Sequence, residues 1–453
     1  MSSEEISRST GGNRRSTDEI RRSADELGRS VGEIRGSALP LAAPEDLDPL
    51  LARIGNARHV LIGEASHGTR DFYSWRAALT RRLIEEMDFR FIGVEGDWPD
   101  CDRVHRALTR PGAEDPCDAL YAFARWPTFM WANEEVVEFC RWLRRWNEDR
   151  PAGRRCGFHG LDVYSLWDSL HAVRGYAARH LPEQMETVMR AVHCFEAYGH
   201  DPQQYGMTTR LTPESCEKEV VGLLAAVDRA TPDDETGFAA RQNAEVVAGA
   251  EEYYRAMIGG GPESWNVRDI HMADTLDRLA DFYGDGARGV VWAHNTHVGD
   301  ARATDMAAAG MTNLGQLVRE RHGEDDVVLV GFGTHRGTVV AADRWGGRAE
   351  VMEVPPARAA SLESVLHDSG LERALFVVPG AGDDRPAWYD RPMGHRAVGV
   401  VYRPEHERWG NYVPTVLGRR YDAFIWLDRT EAVHPLHDEP SGEEEMETYP
   451  AGV

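Results

Sequence analysis

Lysine is nearly missing from this chain of 453 residues: Lys218 stands alone among 51 basic residues, and the rest are arginine. Positive charge as a whole is in deficit. Against those 51 stand 75 Asp and Glu, which leaves a formal net charge of -24. Binding to a phosphate backbone needs a basic face, so this balance argues against nucleic acid as a partner and reads as solubility. A long hydrophobic run is also absent. No stretch of about 18 apolar residues occurs, so no membrane helix is expected. The opening residues Met1-Ser2-Ser3-Glu4-Glu5 lack the basic-then-apolar pattern of a secretory signal. Cysteine is sparse and unpatterned. Cys101, Cys117, Cys140, Cys156, Cys194 and Cys216 include no Cys-x-x-Cys pair, which speaks against a structural zinc site. Six in so long a chain make no disulfide scaffold, and they read as reduced thiols in a cytoplasmic protein. No internal repeat is present.

What is there is enough for a sizeable core. Hydrophobic residues make up 42% of the chain, consistent with one large domain carrying insertions or with two domains. Residues 1–40 are rich in Ser, Arg, Glu and Gly with a thin apolar stripe, and read as a disordered or loosely helical segment. The body of the chain is expected over 41–435, and an acidic tail over 436–453. Short apolar runs, Arg58–Ile62, Phe91–Val94, Cys156–Asp162, Gly289–Ala293, Val327–Phe332, Ala374–Val378, Val398–Tyr402 and Ala423–Leu427, suit strands buried on both faces. Helical spacing separates several of them, and 164–285 reads as helix after helix, an inserted helical subdomain. The fold class is therefore α/β, a mostly parallel sheet flanked by helices. The aromatic stretch Phe123–Trp131 is expected to serve as core packing ahead of the wall of a pocket.

The stretch Val60-Leu61-Ile62-Gly63-Glu64-Ala65-Ser66-His67-Gly68 organises the chemistry. It is a strand, then a turn of small residues, and a helix follows with Phe72, Trp75, Leu79, Leu83 and Met87 on one side. The next strand ends on Glu95. This is a βαβ unit with parallel strands, and ligands of open parallel sheets bind at the carboxyl ends of the strands. Glu64, His67 and Glu95 fall there. An acid near a histidine can fix its tautomer and raise its basicity, and paired carboxylates split their pKa values. His294 and His297 directly follow another buried strand. Arg76 lies on the helix after His67, while Arg268 and His271 are three residues apart on one helical face, placed to meet a substrate. Ala65-Ser66-His67-Gly68 lacks the first glycine of a nucleophile elbow, with Glu64 in its place. The Glu and His set also offers ligands for a divalent metal, and spacing alone leaves that alternative open. A third alternative is a cleft that binds a small molecule without turning it over.

Gly63-Glu64-Ala65-Ser66-His67-Gly68-Thr69, then Glu95, then Arg268-Asp269-x-x-Met272, then Trp292-Ala293-His294-Asn295-x-His297 together resemble the signature of the erythromycin esterase family. The resemblance runs from about 45 to 435. It implies an EreA-like α/β fold with a helical portion and, as in characterised members, hydrolysis of a macrolide lactone or related cyclic ester. On that resemblance His67 is the general base that activates water, supported by Glu64, with Glu95 and His294 as further catalytic groups. Arg76 and His297 line the same cleft with them, and Arg268 and His271, read from their helical spacing, are expected to bind the small-molecule ester there. No cofactor is required.

Overall fold

The computed structural model describes residues 30–437, apart from 199–201, 212–214, 260 and 383. Ten strands follow in chain order among the described residues. They are β1 (His59–Ile62), β2 (Phe89–Val94), β3 (Gly157–Gly160), β4 (Arg288–Trp292), β5 (Val327–Ala341), β6 (Glu350–Val354), β7 (Arg373–Val377), β8 (Pro392–Arg396), β9 (Tyr412–Val416) and β10 (Ala423–Thr430). Eight build one sheet in the order β3-β2-β4-β1-β5-β10-β7, with β6 folded back onto β5. The six strands from β3 to β10 run parallel, and β7 and β6 join antiparallel. β8 and β9 form a separate ribbon. The fold is thus α/β with a mostly parallel sheet.

The first βαβ unit has the expected direction, but its strands are not neighbours. β4 lies between β1 and β2, pairing Ile62 with Trp292 and Trp292 with Val94. The residues that follow these three therefore leave the sheet side by side. Residues of β1 alternate between two cores. Val60 and Ile62 face one, built with Phe72, Leu79 and Leu83 of α1 (Arg70–Met87). Leu61 faces the other. Parallel strands buried on both faces need such helical cover.

α2 (Trp98–Thr109) and α3 (Glu134–Glu148) follow β2. The long helical stretch comprises α4 (Leu166–His180), α5 (Met185–Glu196), α6 (Pro202–Leu211), α7 (Glu217–Ala230), α8 (Glu235–Met257) and α9 (Glu263–Tyr283). Tyr164, Leu170, Val192, Leu223, Val247 and Tyr254 share a third core within it. α9 instead packs Met272, Leu276 and Leu279 on the sheet, beside α11 (Leu314–His322), and α10 (Asn295–Val298) caps β4. No helix among the described residues is long and apolar enough to cross a membrane.

Two local expectations are corrected, and the described end of a third segment is specified. Cys194 and Cys216 are joined in a disulfide, their Cα atoms 5.8 Å apart where the end of α5 meets the start of α7, whereas Cys101, Cys117, Cys140 and Cys156 are free thiols. A pairing made by helix packing leaves no mark in cysteine spacing. Val398–Tyr402 is not a ladder strand. It makes isolated bridges to Ser66 and Ala342, and Val398 and Tyr402 pack with Val339 and Ala341 in a small cluster of their own. Within the segment 1–40, residues 30–37 are helical, Ile34 is fully buried, and Leu39 exchanges backbone hydrogen bonds of 2.9 and 3.0 Å with Leu375. Residues 1–29 and the acidic tail from 438 lie outside the described residues.

Candidate active site

The site assembles on the aligned ends of β1, β4, β2 and β3. The turn after β1 is tight because it has no side chain to accommodate at Gly68. A Cβ there would meet the Val340 carbonyl oxygen at 1.9 Å, and the Gly68 carbonyl accepts from Val340 and Val433 N–H groups at 3.0 Å each. That close approach holds His67 over the strand end. The His67 carbonyl and that of Met130 both lie within hydrogen-bond reach of the Tyr73 hydroxyl, at 2.6 and 2.7 Å.

His67 Nδ1 is 3.0 Å from Glu64 Oε1. This contact assigns the proton to Nδ1 and leaves the Nε2 lone pair on the ring edge away from Glu64. The other Glu64 oxygen pairs with Arg76 Nη2 at 2.9 Å. Arg76 is completely buried, with its guanidinium 4.3 Å from the centre of the Tyr73 ring and 5.1 Å from that of Trp292. It therefore stands beneath the site as the counter-ion of Glu64 and does not line the cleft.

Glu95 binds three groups. Oε2 accepts the His294 backbone N–H at 2.7 Å, and Oε1 lies 2.9 Å from Arg268 and 3.3 Å from His297. Burial opposes its ionisation, but His297, His67 and Arg268 outweigh it and hold the carboxyl well below the usual range. Arg268 also grips Asp162 through two bonds of 3.0 and 2.7 Å. That pairing keeps the Asp162 carboxyl low despite its burial. His297 is fully buried, stacked on Trp265 at 4.5 Å, with Nδ1 3.0 Å from both Asp269 oxygens. Burial alone would lower its pKa, yet Asp269 and Glu95 raise it to about 10, so it is an imidazolium at neutral pH.

His294 behaves in the opposite way. Its pKa falls well below the ordinary value, through burial and then the adjacent His67 ring, whose centre is 4.8 Å away. Nδ1 accepts from the Thr296 N–H at 3.3 Å, which puts the proton of this neutral ring on Nε2. His271 is the predicted residue that the fold draws aside. It presses on α8, where a Cβ at Gly249 would meet its Nδ1 at 2.5 Å, and burial, then Arg278, brings its pKa down to about 3.

The cleft itself is lined by His67, Glu95, Asp162, Arg268 and Asp100, walled by Phe123, Met130 and Trp131, with Arg125 and Asp97 paired at 2.6 Å. Its interior volume is about 30 Å³, room for about two waters at the roughly 10–15 Å³ each needs. Part of the aromatic stretch thus serves both packing and the wall. Asp162 and Asp269 were not among the predicted site residues. Asp162 had the same signal as Glu64 and Glu95, an acid at the end of a strand, and Asp269 adjoins Arg268. Asp100 carries a pKa raised to about 7, by burial and then the Asp97 and Asp168 carboxylates. Among the described residues no group of three or more His, Cys, Asp or Glu side chains is arranged to hold a metal ion.

The sequence model of erythromycin esterase matches residues 84–430. The chain belongs to the erythromycin esterase family. The erythromycin esterase type II of Escherichia coli is 27% identical over 365 residues, covering 75% of this chain and 85% of that protein. The hydrolase-like YbfO of Bacillus subtilis, named a putative hydrolase, is 20% identical over 415 residues, with 85% and 87% covered. A crystal structure of a mutant of the erythromycin esterase EreC in its open conformation superposes with a TM-score of 0.64 at 18% identity, covering 86% of this chain and 95% of that one. Family membership supports a hydrolase, and the structural likeness shows a shared fold.

Two outcomes follow from the buried charges. Arg76→Ala leaves Glu64 without its cationic partner and is expected to destabilise the protein by about 3–5 kcal/mol, read by urea unfolding. A loss below about 1 kcal/mol would contradict the buried pair. His297 has a folded pKa above its ordinary 6.5, so its stabilising contribution is complete below pH 6.5 and fades as pH rises towards 10. The difference in unfolding free energy between the native protein and His297→Gln should shrink across that window. A difference that stays constant from pH 6.5 to 10 rejects the imidazolium.

Proposed function

We propose that the protein hydrolyses an ester, a macrolide lactone or a related cyclic ester, with a water activated by His67. The observation that carries this reading is the charge balance of the buried cluster. Glu64, Glu95, Asp162 and Asp269 face Arg76, Arg268 and the His297 imidazolium. The cluster is one positive charge short while His67 is neutral. A proton taken from water by His67 completes it, in a setting where low polarity makes compensation valuable.

In the proposed sequence, water in the small interior cavity attacks the ester carbonyl carbon as His67 Nε2 takes its proton. Glu64 orients the ring and, with Glu95, stabilises the imidazolium. Arg268, an arginine of the cleft lining, stabilises the oxyanion. The tetrahedral intermediate collapses by breaking the carbon–oxygen bond to the alcohol, which receives the proton back from His67. His294 remains neutral because two adjacent imidazoles resist sharing two protons. Its role is to keep the acquired charge on His67. Arg76 and His297 act from beneath the cleft, Arg76 by holding Glu64 and His297 by holding Glu95.

The test is mass spectrometry of erythromycin after incubation with the purified, chelator-treated protein. A mass gain of one water is expected. His67→Ala should reduce turnover by about 10²–10⁴-fold with an unchanged circular dichroism spectrum. Retention of more than a small fraction of the activity rejects His67 as the base. No mass change either with or without restored divalent ions rejects erythromycin as a substrate, and a mass gain seen only after divalent ions are restored would assign the activation of water to a metal.

A further inference from the structure

A second cavity, of about 610 Å³, lies between the loop after β7, the turn before β10 and the residues that follow α10. It shares no lining residue with the catalytic cleft. Its chemistry is unusual for a chain with a net charge of -24, because five arginines face it. Three are neutralised in place. Arg53 pairs with Asp422 at 2.6 Å, Arg319 pairs with Asp422 at 2.7 Å and Asp300 at 3.1 Å, and Arg302 pairs with Asp300 at 2.7 Å.

Arg385 is met by a single, exposed carboxylate, and Arg419 by none among the described residues. The Arg385 side chain is only 6% exposed, and its Nε is buried without a hydrogen bond. Among the described residues its ionic contact is Asp390, 3.0 Å from Nη2, a carboxylate that is 55% exposed. A guanidinium so enclosed is costly unless a partner meets it. The pocket is shaped around it: a Cβ at Gly418 would fall 1.5 Å from Nη2, so the glycine makes the space that the guanidinium occupies. Arg419, the next residue, is exposed, and its side chain has no carboxylate partner among the described residues. Glu324 and Asp325, the remaining acids of the lining, are exposed.

We propose that this cavity is a binding site for a small phosphate monoester, its phosphate held between Arg385 and Arg419. A phosphate monoester carries about -1.5 to -2 charges at neutral pH, which the Arg385 and Arg419 guanidiniums match once the phosphate displaces the exposed Asp390 carboxylate, and their forked donors suit its oxygens. The volume falls in the roughly 300–1,000 Å³ of small-molecule sites and leaves room for an organic group beyond the phosphate. The site does not depend on the hydrolytic reading of the other cleft.

The experiment is isothermal titration of the full-length protein with inorganic phosphate and with glycerol phosphate, at constant ionic strength and with glycerol as the control. Saturable binding of both phosphates at one site, tighter for the ester, is expected. Arg419→Gln, an exposed change that leaves the fold intact, should weaken it about ten- to hundred-fold, as should Arg385→Gln. Absence of saturable binding overturns the proposal, and so does binding that Arg419→Gln leaves unchanged. Binding of inorganic phosphate without the ester overturns the assignment to a monoester.

Discussion

The register of β1, β4 and β2 is the constraint on which the site depends. Because Ile62, Trp292 and Val94 stand level, the chain segments that leave these strands bring Glu64, His294 and Glu95 to one edge of the sheet. A backbone hydrogen bond of 2.8 Å from Asn295 N–H to the Glu64 carbonyl locks two of these exits together, and the Glu95 carboxylate on the His294 N–H locks the third. A slip of one residue in any strand would turn these groups to the opposite face. The five other strands of the sheet and the helices on both its faces keep that from happening, since Val60, Leu61 and Ile62 are each fully buried in one core or the other.

Assembling so many acids in one place creates the second constraint. Removing a carboxylate from water costs several kcal/mol, and attraction to a cation offsets this only when the geometry is close. Each buried acid here has such a partner. Glu64 has Arg76 from α1, Asp162 has Arg268 from α9, and Asp269 has His297 from α10. Glu95 lies between Arg268 and His297 and joins the pairs into one chain of charge. The cations come from three helices on different sides of the sheet, so the chain also ties those helices to the strand ends. Charge compensation is thus a structural requirement of bringing these acids together at the strand ends.

The positions of Glu64, His67, Glu95 and His294 were readable from the sequence because each follows a short apolar run, and the ends of parallel strands are where polar groups converge. The order of the strands was not readable. Nearly two hundred residues separate β2 from β4, and nothing local in either says that one inserts beside the other. The partners of Arg76 and Arg268 were hidden for the same reason: an arginine at helical spacing looks alike whether it meets a substrate, water or a buried carboxylate. His271 illustrates the ambiguity, since it shares a helical face with Arg268 yet meets Gly249 of a neighbouring helix. The run Val398–Tyr402 has the composition of a central strand, but its neighbours in space are the turn at Ser66 and the end of β5, which offer single bridges in place of a ladder.

The short string His294-Asn295-Thr296-His297 shows how densely such a turn can be used. His294 contributes a neutral ring beside His67, and Thr296 fixes its tautomer through the backbone N–H. His297 contributes a positive charge. Asn295 contributes position: its side chain donates to the Phe332 carbonyl at 2.7 Å and accepts from the Phe332 N–H at 3.2 Å, pairing with β5 as another strand would. It also reaches His395, which is held by Glu363 at 2.6 Å. A Cβ at Gly63 would strike its oxygen at 2.2 Å, so the glycine before Glu64 is there to admit Asn295. The glycine of one motif and the asparagine of another, more than two hundred residues apart, are two halves of one contact. That contact sets the distance between the His67 turn and the His294 turn, and with it the spacing of the two rings.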